Sequence, residues 1–205
     1  MLTESYIQQV LEPLKTPFNI KYNGTSQTHP KNHGRFGFKV ESIFGVVPNS
    51  HQGADLGHTE IKCVQKQLGK FKDMSIGILS QDEYNWLHNS TAKVKFDQSV
   101  PFQKMKQTLF VSYAILESGD NPLYGVLNWK NVSLDKLPHN IRIQLQADYD
   151  YCVYMIQNSS YSRLKTESFC PRGATKYLSL SRKGDQDYVY PVWKFKAAFL
   201  RDILQ

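Results

Sequence analysis

Residues 108–116 limit most strongly how this chain can fold. Their sequence, Thr-Leu-Phe-Val-Ser-Tyr-Ala-Ile-Leu, is an almost unbroken apolar run. Such a run predicts a strand at the centre of a sheet, covered on both faces. A turn follows it, and an apolar segment at 124–129 predicts a partner strand in an antiparallel hairpin. Helical spacing of apolar residues over 3–15, 35–45 and 135–157 adds helices, so we expect an α/β fold.

The length of 205 residues suits one domain with a sizeable core. No internal repeat or low-complexity linker divides the chain, so we predict a single domain over 1–205. Within it, about 1–105 and 160–205 are expected to form the two sides of a cleft. No stretch approaches the ~20 apolar residues that a membrane span needs, and the N-terminus has no apolar signal run. We therefore expect a cytoplasmic protein without a membrane partner.

The charge of the chain points towards a polyanionic partner. It has 25 Lys and Arg residues against 18 Asp and Glu residues, for a net charge of +7. Most of the excess lies in residues 160–205, where nine basic residues face four acidic ones. Many basic proteins bind no polyanion, so the charge alone does not decide this. The three cysteines lie far apart without the spacing of metal ligands and are expected to be reduced thiols: Cys63, Cys152 and Cys170.

The segment at 55–62, Asp-Leu-Gly-His-Thr-Glu-Ile-Lys, has the residues of a metal site. Its Gly-His pair predicts a tight turn between two short strands. Residues two apart on a strand point to one face, so Glu60 and Lys62 should project together while Ile61 enters the core. Asp55 can fold back beside them. Two carboxylates next to an ammonium suit a hard divalent cation and the charge of a reacting phosphate.

This short pattern is not specific when taken alone. The alternative is a surface hairpin on which Glu60 and Lys62 form a solvated ion pair of little energetic value. Glu41, on the helix predicted at 35–45, supplies a further carboxylate, although a helical glutamate is more often a surface residue. The six histidines have no ligand spacing, so neither a zinc site nor histidine-based catalysis is expected.

Two consecutive stretches carry a family resemblance. They are Arg35-Phe-Gly-Phe-Lys-Val-Glu41-Ser-Ile-Phe-Gly45 and Ala54-Asp55-Leu-Gly-His-Thr-Glu60-Ile-Lys62. Together they resemble the MutH-like DNA endonucleases, which include MutH and GATC-cutting type II restriction enzymes, in the PD-(D/E)xK nuclease superfamily. The family pattern is a helix with Gly-x-x-x-Glu-x-x-x-Gly, then Asp-Leu-Gly, then Glu-x-Lys. This chain has one more residue between Asp-Leu-Gly and Glu60.

The resemblance continues in matching order to about residue 204. Val100-Pro-Phe-Gln-Lys104-Met-Lys106 is similar to the segment that holds a further active-site lysine, with Lys104 the better match and Lys106 the second. The tail around Arg172 and the run Val192-Trp-Lys194-Phe-Lys196 are similar to segments that contact DNA in the family. Lys194 stands at or near a family tyrosine linked to reading the site, so the recognition sequence stays open.

The resemblance implies a restriction-endonuclease-like fold, a mixed central sheet flanked by helices, with two lobes around a DNA-binding cleft. It implies that Asp55 and Glu60 bind Mg²⁺, with Mn²⁺ as a substitute, and that Glu41 completes the acidic cluster. Lys62 would orient the attacking water, and Lys104 would assist near the scissile phosphate. The residues expected to contact double-stranded DNA are Arg172, Lys194, Lys196, Lys70 and Lys106.

The expected function is a Mg²⁺-dependent, sequence-specific endonuclease that hydrolyses phosphodiester bonds in double-stranded DNA. A type II restriction enzyme, with a cognate DNA methyltransferase in the same system, is the first choice. A mismatch-repair nicking enzyme activated by a partner protein is the second, and a DNA-binding protein without catalysis is the third. Whether the protein is a monomer or a homodimer is left open.

Overall fold

The apolar run at 108–116 lies at the centre of a mixed sheet in the computed structural model. It belongs to strand β5 (Gln107–Glu117), which pairs in parallel with β2 (Glu60–Gln67) and antiparallel with β6 (Leu123–Ser133). The other two strands are β1 (Phe18–Asn19) and β3 (Lys70–Phe71). The order is β1-β6-β5-β2-β3, so β5 is the middle strand. Both the central strand and the α/β class are confirmed.

The structure describes residues 2–21, 24–25, 34–46, 55–119, 121–166, 170–171, 173–184 and 189–204. A second sheet has the order β4-β8-β7 and consists of β4 (Met74–Ile78), β7 (Leu178–Gly184) and β8 (Val189–Phe195). The helices are α1 (Glu4–Leu11), α2 (Arg35–Ile43), α3 (Gln81–Asn89), α4 (Val100–Met105), α5 (His139–Gln157), α6 (Tyr161–Thr166) and α7 (Ala197–Leu204). Three short 3₁₀ turns span Glu12–Lys15, Phe96–Gln98 and Leu134–Lys136. Among the described helices, none has the length and apolar character to cross a membrane.

The chain divides into two compact units, each built from separate stretches of sequence. The first unit contains residues 1–72 and 106–133 and holds the five-stranded sheet. The second contains residues 73–105 and 134–203 and holds the three-stranded sheet. The prediction of a single domain over 1–205 stays a prediction.

In the first unit, α1 and α2 pack with the five-stranded sheet around one apolar core. Thr3 caps α1 by accepting a hydrogen bond from the Tyr6 backbone N–H. The ring of Phe36, on α2, stacks on Tyr113 of β5 with ring centres 3.9 Å apart. The buried core residues are Ile7, Leu11, Leu14, Ile20, Phe36, Val40, Phe44, Val46, Ile61, Leu109, Val111, Tyr113, Tyr124 and Val126. This packing fixes α2 against the start of β2, where the predicted site residues lie.

In the second unit, the buried carboxylate of Asp148 connects α5 to β7. Asp148 accepts hydrogen bonds from the backbone N–H groups of Lys176, Tyr177 and Leu178, at 3.0 Å from Lys176 and 2.9 Å from Leu178. These N–H groups lie at the start of β7, so the side chain takes the place of a strand partner. Tyr149, the next residue on α5, packs against Trp193 of β8 with ring centres 5.5 Å apart.

The helices predicted within 3–15, 35–45 and 135–157 are confirmed as α1, α2 and α5, whereas other segments differ from the prediction. The basic segment at 66–72, for which the sequence predicts a loop, is a tight β2–β3 hairpin that turns through Leu68 and Gly69, both with positive φ. The polar and basic stretch at 89–106 contains a 3₁₀ turn and α4. Strand β8 is not predicted by the sequence pattern. A loop is also predicted at 22–34, and most of it lies outside the described residues.

Candidate active site

A tight hairpin at the start of β2 positions the first site residues. Leu56 and Thr59 exchange two backbone hydrogen bonds, of 2.9 and 3.0 Å, and form an isolated antiparallel bridge. Gly57 lies in this turn with a φ of +61°, which is unfavourable for residues with a side chain. The turn predicted at Gly57-His58 is therefore confirmed. It places Asp55 on one arm and Glu60 on the other.

Asp55 folds back onto β2. Its Oδ2 atom accepts a hydrogen bond of 2.8 Å from the backbone N–H of Ile61. Because Ile61 follows Glu60 directly, this bond holds the Asp55 carboxylate beside the beginning of the strand. The turn therefore brings both Asp55 and Glu60 to the start of β2.

Glu60 and Lys62 lie on the same face of β2 and form an ion pair. The Glu60 residue is buried, with 1% of its surface exposed, whereas the Lys62 side chain is 23% exposed. Ile61, between them, is buried in the core of the first unit, as the alternation of a strand requires. The predicted orientation of these three residues is confirmed. The alternative of a solvated surface ion pair does not hold, because the carboxylate of Glu60 is buried.

Glu41, in the last turn of α2, responds to the same charges. Burial raises the pKa of its carboxyl group, the negative charges of Asp55 and Glu60 raise the pKa further, and the positive charge of Lys62 opposes them. Four ionisable groups from a helix, a turn and a strand therefore interact electrostatically. Gly37 lies one turn earlier on α2, and a Cβ atom placed there would be 3.9 Å from Oε1 of Glu41. The carboxylate of Glu41 thus extends back along the helix.

Cys63 is a neighbour that the sequence reasoning did not connect to this cluster. It follows Lys62 on β2 and packs with the core on the Ile61 face. Burial raises the pKa of its thiol strongly, and the negative charge of Glu41 raises it further. The thiol therefore stays protonated and does not act as a thiolate ligand. The sequence shows that Cys63 follows Lys62, but the burial of Cys63 depends on the packing of α2 and cannot be predicted from the local pattern.

The donor chemistry of the cluster fits a hard divalent cation. Carboxylate oxygens are the ligands that Mg²⁺ prefers. Burial first, and then the negative charges of Asp55 and Glu60, raise the pKa of Glu41, and a cation in the cluster would oppose the part of that shift due to the two charges. Within the described ranges, however, no group of three or more His, Cys, Asp or Glu side chains is already arranged to hold a metal ion. Asp55 engages a backbone N–H, and Glu60 engages Lys62.

The remaining predicted lysines are distributed over both units. Lys104 lies in the last turn of α4 and is half-buried, in the second unit. Lys106 precedes β5 and is exposed, in the first unit. Lys70 is exposed on β3, the edge strand of the five-stranded sheet. The structure therefore gives Lys70 and Lys106 access to solvent, as contacts with a polyanion require.

The predicted DNA contacts of the tail differ from one another in environment. Lys194 is half-buried on β8, between Ser75 of β4 and Ser179 of β7. Lys196 follows β8, and its ammonium group donates a hydrogen bond to the backbone carbonyl of Thr175. The Lys196 side chain therefore already has a partner within the second unit. Arg172 lies outside the described residues.

Comparison of the sequence with models of protein families and with curated proteins finds no match.

Proposed function

We propose that this protein is a Mg²⁺-dependent endonuclease that hydrolyses phosphodiester bonds in double-stranded DNA. One observation carries the proposal: Glu60, a buried carboxylate, lies on a strand beside the ammonium of Lys62, and their charges act on Glu41 together with that of Asp55. Burial of the Glu60 carboxylate beside other charged side chains has an energetic cost, and such charge clusters are concentrated at functional sites. The restriction-endonuclease-like fold, its two lobes and the membership of the MutH-like family are part of this proposal.

The acidic residues would hold the metal. Asp55 and Glu60 would supply the first oxygen ligands, and Glu41 would complete the cluster, either directly or through a bound water. A divalent cation held there would polarise the phosphoryl oxygen and lower the pKa of a bound water. Because Glu60 contacts Lys62 in the protein alone, metal binding would require Glu60 to exchange that contact for the ion.

Lys62 would then act on the reacting water and phosphate. Released from Glu60, its ammonium would orient the attacking water and stabilise the negative charge that develops on the phosphoryl oxygens. Lys104 is proposed to assist near the scissile phosphate. Lys70, Lys106, Lys194, Lys196 and Arg172 are proposed to contact the duplex, and their positive charges would make binding sensitive to salt.

Incubation with supercoiled plasmid and Mg²⁺ tests the proposal. A type II restriction enzyme yields discrete double-stranded fragments, and sequencing their ends gives both the recognition site and the cut position. A mismatch-repair nicking enzyme yields open circles, in amounts that rise when its partner is added. A DNA-binding protein without catalysis retards the plasmid on a gel and leaves it intact with every divalent metal, which would overturn the enzymatic proposal.

A further inference from the structure

Two thiols in the second unit lie in contact although they are far apart in the sequence. The Sγ atoms of Cys152 and Cys170 are 3.8 Å apart. Cys152 is buried on α5, and Cys170 is half-buried ahead of β7. Neither residue belongs to the acidic cluster with Lys62, which lies in the first unit. Because a disulfide needs the two sulfurs within bonding reach, this pair needs little movement to form one.

The surroundings of Cys170 favour its thiolate. Its Sγ atom accepts a hydrogen bond of 3.5 Å from the backbone N–H of Leu180. The hydrogen bond between Cys170 and Cys152, the Leu180 N–H and the charge of Lys196 together lower the pKa of Cys170 to about 7, against the opposing effects of burial and Asp148. A lowered pKa makes the thiolate easier to form, and the thiolate is the form that reacts with oxidants.

Cys152 has the opposite character. Its hydrogen bond to Cys170 and its burial raise the pKa of its thiol well above the ordinary range. It therefore remains protonated and shielded from solvent, with 0% of its surface exposed. A reactive, partly accessible thiolate next to a protected thiol is the arrangement of an attacking and a resolving cysteine.

We propose that Cys152 and Cys170 are a site of reversible oxidation, at which hydrogen peroxide or a related hydroperoxide converts the two thiols into an intramolecular disulfide. The Cys170 thiolate attacks one oxygen of the peroxide, the O–O bond breaks, and the products are a sulfenic acid and hydroxide, which takes up a proton. The sulfur of Cys152 then attacks that of Cys170, the S–O bond breaks, and the proton of Cys152 leaves with the departing hydroxide as water. The two sulfurs lose two electrons, and hydrogen peroxide is reduced to two molecules of water; an organic hydroperoxide is reduced to one alcohol and one water.

The disulfide would fasten α5 to the segment that leads into β7. Asp148, one turn before Cys152 on α5, already holds the start of β7 through the backbone N–H groups of Lys176, Tyr177 and Leu178. The covalent bond would add a second attachment between the same two parts of the unit. The Lys196 ammonium, which is bonded to the Thr175 carbonyl, contributes charge to this site as well.

Peroxide treatment of the reduced, folded full-length protein at pH 7, followed by removal of the peroxide and alkylation of the remaining thiols in denaturant, tests the proposal. Of the three cysteines, only Cys63 should still be alkylated, and proteolysis without reductant should release a peptide pair joined through Cys152 and Cys170. Dithiothreitol should restore all three thiols. Three alkylated thiols after treatment, a bond that includes Cys63, or a bond between two chains would overturn the proposal.

Variants separate the attacking role of Cys170 from the resolving role of Cys152. Cys63→Ser is the matched control because it should leave formation of the Cys152–Cys170 disulfide unchanged. Cys152→Ser should trap the sulfenic acid on Cys170, where dimedone labels it, and Cys170→Ser should show neither label nor disulfide. If Cys152→Ser fails to fold, Cys152→Ala serves in its place. The same treatment in urea is expected to form the Cys152–Cys170 bond at least tenfold more slowly. An equal rate in the unfolded chain would contradict a site built by the fold.

Discussion

Each of the two units buries a carboxylate, and the two carboxylates have different partners. In the second unit, Asp148 is 2% exposed and accepts hydrogen bonds from three consecutive backbone N–H groups. In the first unit, Glu60 is 1% exposed and lies against the side chain of Lys62, within the electrostatic reach of Glu41. Asp148 is therefore bonded to the main chain, which cannot move away without loss of structure. Glu60 is paired with the side chain of Lys62, which can move away while the main chain stays in place.

The difference separates a structural carboxylate from a candidate catalytic one. Backbone N–H groups satisfy Asp148 permanently, so it can bind nothing else without unfolding the junction of α5 and β7. The ion pair of Glu60 and Lys62 can open, and a cation and a phosphate can replace the two partners. Removal of the Asp148 carboxylate should therefore lower stability, whereas removal of the Glu60 carboxylate should lower the rate of DNA cleavage.

The largest expected effect is on cleavage by variants of the first unit. Glu60→Gln and Lys62→Met should each lower the rate of plasmid cleavage by about 10³-fold or more, because one loses a metal ligand and the other loses the charge beside the reacting phosphate. Single-turnover rates on plasmid DNA measure the loss. The matched control is Lys66→Met, which removes the same charge farther along β2 and should keep cleavage within about twofold of wild type. Retained cleavage in Glu60→Gln or Lys62→Met would refute the site.

Asp148→Asn should affect stability instead. The variant replaces one of the two accepting oxygens at the start of β7 with an amide nitrogen, which can only donate, so the free energy of unfolding should fall by about 2 to 4 kcal/mol. Urea titration followed by circular dichroism measures the change. Asp150→Asn, on the same helix, is the control: its ion pair with Lys93 is at the surface, with the Lys93 side chain 72% exposed and that of Asp150 35% exposed, and the loss should stay below about 0.5 kcal/mol. Loss of cleavage in Asp148→Asn at unchanged stability would contradict the structural role assigned to Asp148.

Glu83 is a third buried carboxyl group, and it accepts a hydrogen bond from the side chain of Trp193. Burial raises its pKa to about 7 from 4.5, although a hydrogen bond of 3.2 Å from Nε1 of Trp193 favours the charged form. The folded chain thus keeps a proton that the unfolded chain loses above pH 4.5, and stability should fall as the pH rises from 4.5 to about 7 and then level off. The fall should be on the order of 3 kcal/mol, because each unit of pKa difference corresponds to about 1.4 kcal/mol.

Glu83→Gln should remove this fall, because glutamine cannot ionise and still offers an oxygen to Trp193. Urea midpoints at a series of pH values, measured for both proteins, isolate the contribution of this one group from the rest of the chain. If the difference between the two proteins stays constant from pH 4.5 to 8, Glu83 ionises normally and the environment described for it is wrong.

The smallest expected effect comes from Gly37→Ala. The added Cβ would lie at an ordinary contact distance of 3.9 Å from Oε1 of Glu41, so the carboxylate need not move. Alanine also favours a helix, and α2 should gain about 0.5 to 1 kcal/mol in stability. Cleavage should remain within about twofold of wild type. A loss of tenfold or more would show that the open space beside Glu41 is itself required by the metal or the DNA.

Local sequence patterns predicted the parts of the fold that depend on neighbouring residues. The central strand followed from an unbroken apolar run, and the N-terminal helix followed from apolar spacing behind the cap at Thr3. The turn at Gly57 and the shared face of Glu60 and Lys62 follow from backbone geometry over a few residues. Such features are determined before distant parts of the chain meet.

Features that depend on distant contacts could not be read in advance. Strand β8 carries Pro191, a weak strand signal, and it forms because β4 and β7 pair with its two sides. The bond of Lys196 to the Thr175 carbonyl and the contact of Cys152 with Cys170 join residues that only tertiary packing brings together. The burial of Glu60 likewise depends on packing and not on the local pattern.

The central claim is that the acidic cluster with Lys62 is a metal-dependent nuclease centre, and one measurement tests it most directly. Supercoiled plasmid is incubated with wild-type protein over a range of Mg²⁺ concentrations, with Glu60→Gln in parallel and with DNA binding of both proteins measured in Ca²⁺. We predict cleavage by the wild type that rises with Mg²⁺, ceases with EDTA and returns when Mg²⁺ is restored, while Glu60→Gln binds DNA without cutting it. Intact plasmid at every Mg²⁺ concentration, or cleavage that Glu60→Gln retains, would contradict the account.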